Sequence, residues 1–279
     1  MILPRLYAIL DAGFFPDAHA MFIAAEELAA GGCTLLQYRN KSGNARVMLE
    51  QARELKRRLS HPFDSPSLRS GSLRAGSNAA RSAALGWGAQ LKRRLPSQSQ
   101  NPHFSQKRGE VGHPTLEKAE SQSPHPVAQN AIRVGQPSVR LIMNDRADLC
   151  LAAEFDGVHV GQEDLSPESV RRIVGPERWL GVSTHNPEQI READLTSADY
   201  LAIGPVFPTS SKERPDPVLG LEGVRRARAL TRKPLVAIGG ITRANAASVI
   251  EAGADSVAVI SDLLREPRKS AEEFLQILR

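Results

Sequence analysis

Gln37, Arg39 and Lys41, within the stretch QYRNK, alternate along the chain. In an extended strand all three share one face. Two cations and an amide at the end of an apolar run are costly to bury unless something anionic or polar sits opposite. Asp145 in LIMND and Asp164 in GVHVGQEDLS follow later in the chain. Aspartates are hard oxygen donors, suited to Mg²⁺ bound together with phosphate oxygens. Gly239–Gly240 in VAIGGIT and Ser261 in AVIS suit phosphate held by backbone N–H groups. Two separate anion sites and a divalent metal imply chemistry on two phosphorylated groups.

Taken singly, each feature has a plain structural reading. Arg39 and Lys41 could be surface charges at a strand end. Asn144–Asp145 could be an Asx turn or helix cap. Glu163 and Asp164 could simply precede a helix N-terminus, and IGGIT could be a tight turn. His159 and His185 read as hydrogen-bonded structural residues, because no His-x-x-x-His or cysteine pairing supports a metal. What favours chemistry is their coincidence at strand ends.

The elements that must position these residues alternate strictly. Apolar, strand-like runs occur at 5–10, 34–39, 139–145, 157–162, 179–185, 200–208, 234–240 and 256–261. Helical patterns occur at 18–32, 45–59, 146–154, 166–174, 187–195, 221–230, 243–253 and 270–278. Apolar strands separated by helices argue for a parallel sheet. Eight such units argue for an α/β chain closed into a single (β/α)₈ TIM barrel. In that fold the polar strand ends share one rim, where barrel enzymes carry their active sites.

Residues 60–137 break the pattern. They hold 12 Ser, 8 Pro and 7 Gly, a composition that cannot bury enough apolar surface to offset ordering entropy. We read them as a disordered basic insertion between helix 2 and strand 3. The barrel then comprises 1–59, the first two units, and 138–279, the remaining six. A short helix over 79–95 is weakened by Gly86 and Gly88. The insertion carries 10 basic and 4 acidic residues, so the net charge of +5 arises there, and the rest holds 26 basic and 27 acidic residues.

Cys33 and Cys150 stand alone in apolar segments, which argues against a disulfide framework and for a cytoplasmic setting. The N-terminal MILPRLYAILDAG lacks the pattern of a signal peptide. No stretch reaches the roughly 18 apolar residues of a membrane helix.

QYRNK, LIMND, GVHVGQEDLS, GVSTH, YLAIGPVFPTSSK, VAIGGIT and AVIS occur in this order. Together they resemble the thiamine phosphate synthase family along the whole chain outside 60–137. The resemblance implies transfer of a pyrimidinylmethyl group from 4-amino-5-hydroxymethyl-2-methylpyrimidine diphosphate to 4-methyl-5-(2-phosphoethyl)thiazole, releasing pyrophosphate. It implies that Gln37, Arg39, Lys41 and Asn144 contact the pyrimidine diphosphate and that Asp145 and Asp164 hold Mg²⁺. It further implies Ser183 and Lys212 at the pyrophosphate, and Thr209, Ser211, Gly240, Ile260 and Ser261 at the thiazole phosphate. Arg39, Lys41 and Ser183 would carry the catalytic role.

The chain departs from the family at Asn40, where an acid is common, and at Ser211, which stands for a threonine. Small-molecule substrates are then the partners, with no nucleic acid or membrane, and a homo-oligomer is left open. Two other functions fit parts of the sequence. A thiazole tautomerase on the same barrel would keep the phosphate site and need a proton-transferring residue. A nucleic-acid-binding protein would use the basic insertion, which offers few aromatics for stacking.

Overall fold

The computed structural model describes residues 1–60, 138–209 and 216–279. The expected insertion and helix 79–95 lie outside the described residues, as do Ser211 and Lys212. Eight strands and eight α-helices alternate among the described residues. They are β1 (Leu6–Asp11), α1 (Ala18–Ala30), β2 (Leu35–Arg39), α2 (Ala45–Ser60), β3 (Arg140–Asn144), α3 (Ala147–Ala152), β4 (Gly157–Val160) and α4 (Pro167–Val174). Then follow β5 (Trp179–Thr184), α5 (Pro187–Asp194), β6 (Tyr200–Ile203), α6 (Gly220–Leu230), β7 (Leu235–Ile238), α7 (Ala246–Glu251), β8 (Ser256–Val259) and α8 (Pro267–Ile277). The strands are parallel and close in sequence order, with β8 returning to β1. The (β/α)₈ TIM barrel expected from the alternation is the observed fold.

Strand alternation sorts side chains into two cores. Leu6, Ala8 and Leu10 of β1 face outward against the helices. Tyr7 and Ile9 face inward, among Leu35, Ile142, Tyr200, Ala202, Val236 and Ala258. The helices close the outer core with one face each; α2 does so with Met48, Ala52, Leu55 and Leu59, which recur at helical spacing. Ser166 and Asn186 cap α4 and α5 by accepting the N–H groups of Ser169 and Gln189, and each helix has proline in its first turn.

One device recurs at the N-terminal ends of three strands. Asp156, Asp199 and Asp255 stand immediately before β4, β6 and β8. Each carboxylate accepts a backbone N–H from the preceding strand: Leu141 at 2.8 Å, Leu180 at 2.7 Å and Leu235 at 2.8 Å. Each also pairs with a cation, Lys56, Arg171 and Arg228 respectively. The aspartates thus tie strand, neighbouring strand and helix together on the face opposite the strand C-termini.

Several strands stop earlier than their apolar runs suggest. β6 ends at Ile203 rather than 208, because Gly204 and Pro205 follow and proline has no N–H to give the ladder. β7 ends before Gly239 and Gly240, whose φ values of 99° and 63° leave the strand conformation. Helix α8 begins at Pro267, three residues earlier than read, since proline suits a first helical turn. Short 3₁₀ turns at Ala12–Phe14 and Ser261–Leu263 were not read from the sequence.

Candidate active site

The inward face of β2 presents Gln37, buried, and then Arg39 at its last position. Arg39 is ion-paired with Asp11, the last residue of β1 and its register partner. Asp11 is 6% exposed and also accepts the Gly13 N–H at 3.0 Å. Lys41 lies two residues beyond β2 and is exposed. Asn40 turns away from this face: its amide reaches the Tyr38 hydroxyl at 3.1 Å and Gln51 at 3.0 Å, both on the outer side.

Asn144 ends β3 beside His159 of β4. Asp145 follows with φ 63°, a left-handed conformation that aspartate tolerates better than most residues. Its N–H donates to the His159 carbonyl at 2.8 Å, which holds the turn. Burial pushes the Asp145 carboxyl up to about 6, and the charge of Asp164 and a hydrogen bond shared with it push in the same direction. Lys41 and Arg39 oppose that rise. Asp164 is fixed from the other side by the Gly161 N–H at 2.7 Å.

The two carboxylates therefore converge with cations beside them. Among the described residues no three His, Cys, Asp or Glu side chains converge as a metal cage. Two converging carboxylates, one of them in a site that disfavours its charge until a cation arrives, fit Mg²⁺, which commonly takes one or two protein carboxylates and completes its shell with waters and phosphate oxygens.

Ser183, in β5, sits half-buried, its hydroxyl 2.9 Å from His159 Nε2. Behind it a continuous chain of contacts crosses the barrel interior. Gln37 Nε2 donates to the Tyr7 hydroxyl at 2.8 Å, Tyr7 meets the Tyr200 hydroxyl at 3.1 Å, and Tyr200 meets His159 Nδ1 at 3.1 Å. Burial lowers His159 to about 4 and pushes both tyrosines up, so all three are neutral near pH 7. The expectation that His159 and His185 are hydrogen-bonded structural residues holds; His185 Nδ1 lies 2.7 Å from the Gly204 carbonyl.

The remaining residues form a second group across the rim. The loop after β6 carries Thr209 and runs against the glycine pair after β7, with the Phe207 N–H on the Gly239 carbonyl at 3.0 Å. Gly240 lies so close to Pro208 and Phe207 that a Cβ would overlap both. Ile260 and Ser261 directly follow β8, Ser261 opening the 3₁₀ turn there.

A family model described as thiamine monophosphate synthase matches residues 117–263. That span includes Asp145, Asp164, Ser183 and Gly240 but not Gln37, Arg39 and Lys41. The thiamine-phosphate synthase of Koribacter versatilis closes the gap, being 47% identical over 99% of this chain and 96% of its own length. The chain belongs to the thiamine monophosphate synthase family. Its activity is that of a thiamine-phosphate synthase, a transferase of thiamine biosynthesis. The synthase of Moorella thermoacetica is 50% identical over 44% of this chain and 59% of that one. Among solved structures, a thiamine phosphate pyrophosphorylase from Pyrococcus furiosus superposes with a TM-score of 0.62 at 26% identity, covering 98% and 95% of the two chains.

Four residues at or behind the candidate site carry no clear signal in the sequence. Tyr7 and Tyr200 look like ordinary members of apolar strands, and only their hydroxyls reveal the interior chain. Asp11 is an acid at a strand end, the same signal that marks Asp145. Gly181 faces Tyr200 and His159 so closely that a Cβ would overlap both rings; no local sequence signal distinguishes it from another strand glycine.

Proposed function

We propose that the first group of residues binds 4-amino-5-hydroxymethyl-2-methylpyrimidine diphosphate and the second binds 4-methyl-5-(2-phosphoethyl)thiazole. Gln37 and Asn144 meet the pyrimidine. Arg39, Lys41, Ser183 and Lys212 meet the diphosphate. Thr209, Ser211, Gly240, Ile260 and Ser261 hold the thiazole phosphate. The observation that carries this reading is the convergence of Asp145 and Asp164 beside Arg39 and Lys41, an arrangement complementary to a magnesium diphosphate.

Held by Asp145 and Asp164, Mg²⁺ would neutralise negative charge on the diphosphate as it departs. Arg39 and Lys41 supply fixed positive charge to the same oxygens, and Ser183 a hydroxyl donor. The bond between the pyrimidine methylene carbon and the diphosphate oxygen breaks, its electron pair leaving with pyrophosphate. The aminopyrimidine delocalises the cation left at the methylene. The thiazole nitrogen lone pair then forms the new carbon–nitrogen bond, and no proton changes hands. The protein's task is to position and to stabilise charge. That suits a site whose nearest histidine is neutral and engaged on both nitrogens.

Among the described residues no helix is long and apolar enough to cross a membrane. We place the reaction in the cytoplasm and assign residues 60–137 no part in it. The test is pyrophosphate release with both substrates and Mg²⁺. Release that needs both substrates and stops with chelator is expected; release without the thiazole, or unaffected by chelator, would overturn the reading.

A further inference from the structure

Gln37, Tyr7, Tyr200, His159 and Ser183 form a chain in which each interior link has a single proton to give. A hydroxyl carries one, and a neutral imidazole carries one on either ring nitrogen. Two directions satisfy every contact. In one, protons point from Gln37 through Tyr7, Tyr200 and His159 to Ser183. In the other they all point back, and the Gln37 amide is turned over so that its oxygen accepts from Tyr7. A mixed direction would leave two lone pairs or two protons facing each other inside the barrel. All the interior members are buried: Gln37, Tyr7 and His159 at 4%, 1% and 7% exposure, and Tyr200 at 0%.

The direction of the chain depends on Ser183 touching the diphosphate, as proposed above. A diphosphate only accepts, so Ser183 must turn its one proton outward. Its oxygen then accepts from His159 Nε2–H, which leaves Nδ1 to accept from Tyr200. Tyr200 in turn accepts from Tyr7, and Tyr7 from the Gln37 N–H. The Gln37 oxygen is thereby left to face the pyrimidine, where an exocyclic amine can donate to it.

We propose that Tyr7, Tyr200 and His159 are positioning residues: the diphosphate fixes the direction of the relay at Ser183, and the relay fixes which end of the Gln37 amide reads the pyrimidine. The site thereby selects a 4-amino over a 4-oxo pyrimidine diphosphate, since a 4-oxo group needs the amide reversed and hence the whole chain reversed. Gly181 is the space this chain requires, because any Cβ there would overlap the Tyr200 and His159 rings.

Two measurements on the full chain test the relay. The first is the His159 tautomer by ¹⁵N NMR of histidine-labelled protein with magnesium pyrophosphate, assigned by difference from His159→Asn. A proton on Nε2 supports the relay; a proton on Nδ1 in the pyrophosphate-bound protein overturns it. The second is the ratio of kcat/KM for 4-amino and 4-oxo pyrimidine diphosphates in Tyr7→Phe and Tyr200→Phe. Both should lose about tenfold in that ratio, roughly what one misdirected hydrogen bond confers, with the thiazole phosphate KM unchanged. Tyr200 is linked to Gln37 by hydrogen bonds through the Tyr7 hydroxyl, so a Tyr200→Phe protein that folds and discriminates like the wild type overturns the coupling. Protein that melts normally but neither binds pyrophosphate nor turns over refutes the substrate assignment itself, and the relay with it. Turnover without an Nε2–H tautomer refutes the relay alone.

Discussion

Asp11 and Arg39 are register partners at the last positions of β1 and β2, and their side chains are ion-paired at the barrel mouth. Arg39 is therefore oriented before any phosphate arrives. An unpaired guanidinium there would have to be positioned by the ligand itself.

Asp11→Asn should lower kcat/KM for the pyrimidine diphosphate about tenfold while leaving the thiazole phosphate KM unchanged. It should also cost about 1–3 kcal/mol of stability, because a half-buried Arg39 loses its anion. Steady-state kinetics with each substrate varied, beside a denaturant melt, checks both. An equal rise in both KM values would contradict a local role for this pair.

Asp145→Asn should stabilise the ligand-free protein and abolish turnover. The Asp145 carboxyl is raised to about 6, whereas in the unfolded chain it ionises near pH 4. Between those values the unfolded chain has already released a proton that the folded one retains. Stability therefore falls as pH rises from about 4 through about 6. Asparagine removes that penalty and accepts the left-handed backbone at this position. At pH 7 the gain is about 1 kcal/mol once solvent screening is allowed for, or roughly 2–4 °C. Mg²⁺ should raise the wild-type melting temperature more than the variant's. A variant that melts with the wild type at every pH would remove the basis for this reading.

Gly240→Ala should act on the thiazole side. The residue has φ 63°, and a Cβ would overlap Pro208 and Phe207, so the loop that carries Thr209 must shift. The expected result is at least a tenfold rise in the thiazole phosphate KM with less than a twofold change for the pyrimidine diphosphate. Calorimetric titration of each ligand separately reads this, and matched losses would argue for one undivided site.

Asp199→Ala provides the contrast. It strands the Leu180 N–H and leaves Arg171 with carbonyl partners but no anion, on the face away from the site. About 1–3 kcal/mol of stability should be lost, roughly 3–10 °C in melting temperature, with kcat intact in the protein that remains folded. A fall in kcat at a temperature where the variant is fully folded would show that the two faces communicate.

The barrel was legible because its signals repeat: eight apolar runs and eight amphipathic ones leave little choice of topology. Arg39, Asp145 and Asp164 were legible because charges at the ends of apolar strands require a reason. The interior chain was not. Tyr7 and Tyr200 contribute to burial as phenylalanines would, and their hydroxyls gain meaning only when β1, β4 and β6 face one another across the barrel. Gly181 was invisible for a similar reason, since what matters there is the space left for residues on two other strands. Strand ends are not legible where Gly204–Pro205 and Gly239–Gly240 extend the apolar run but not the hydrogen-bonding ladder.

The seams on either side of β1 and β2 bear on how the protein is made. Ser256 reaches Arg5 across 251 positions where β8 meets β1, and β2 pairs with β3 although Leu36 and its partner Leu141 are far apart in sequence. From β3 to β8, by contrast, neighbouring strands are also neighbours in sequence. Distant pairings slow folding, because the entropy of bringing the ends together is spent before their contacts form. Arg39 and Gln37 lie on one side of the β2–β3 seam and the two carboxylates on the other. Catalytic competence can thus return during refolding no sooner than that seam closes, which makes recovery of turnover a clock for the β2–β3 pairing.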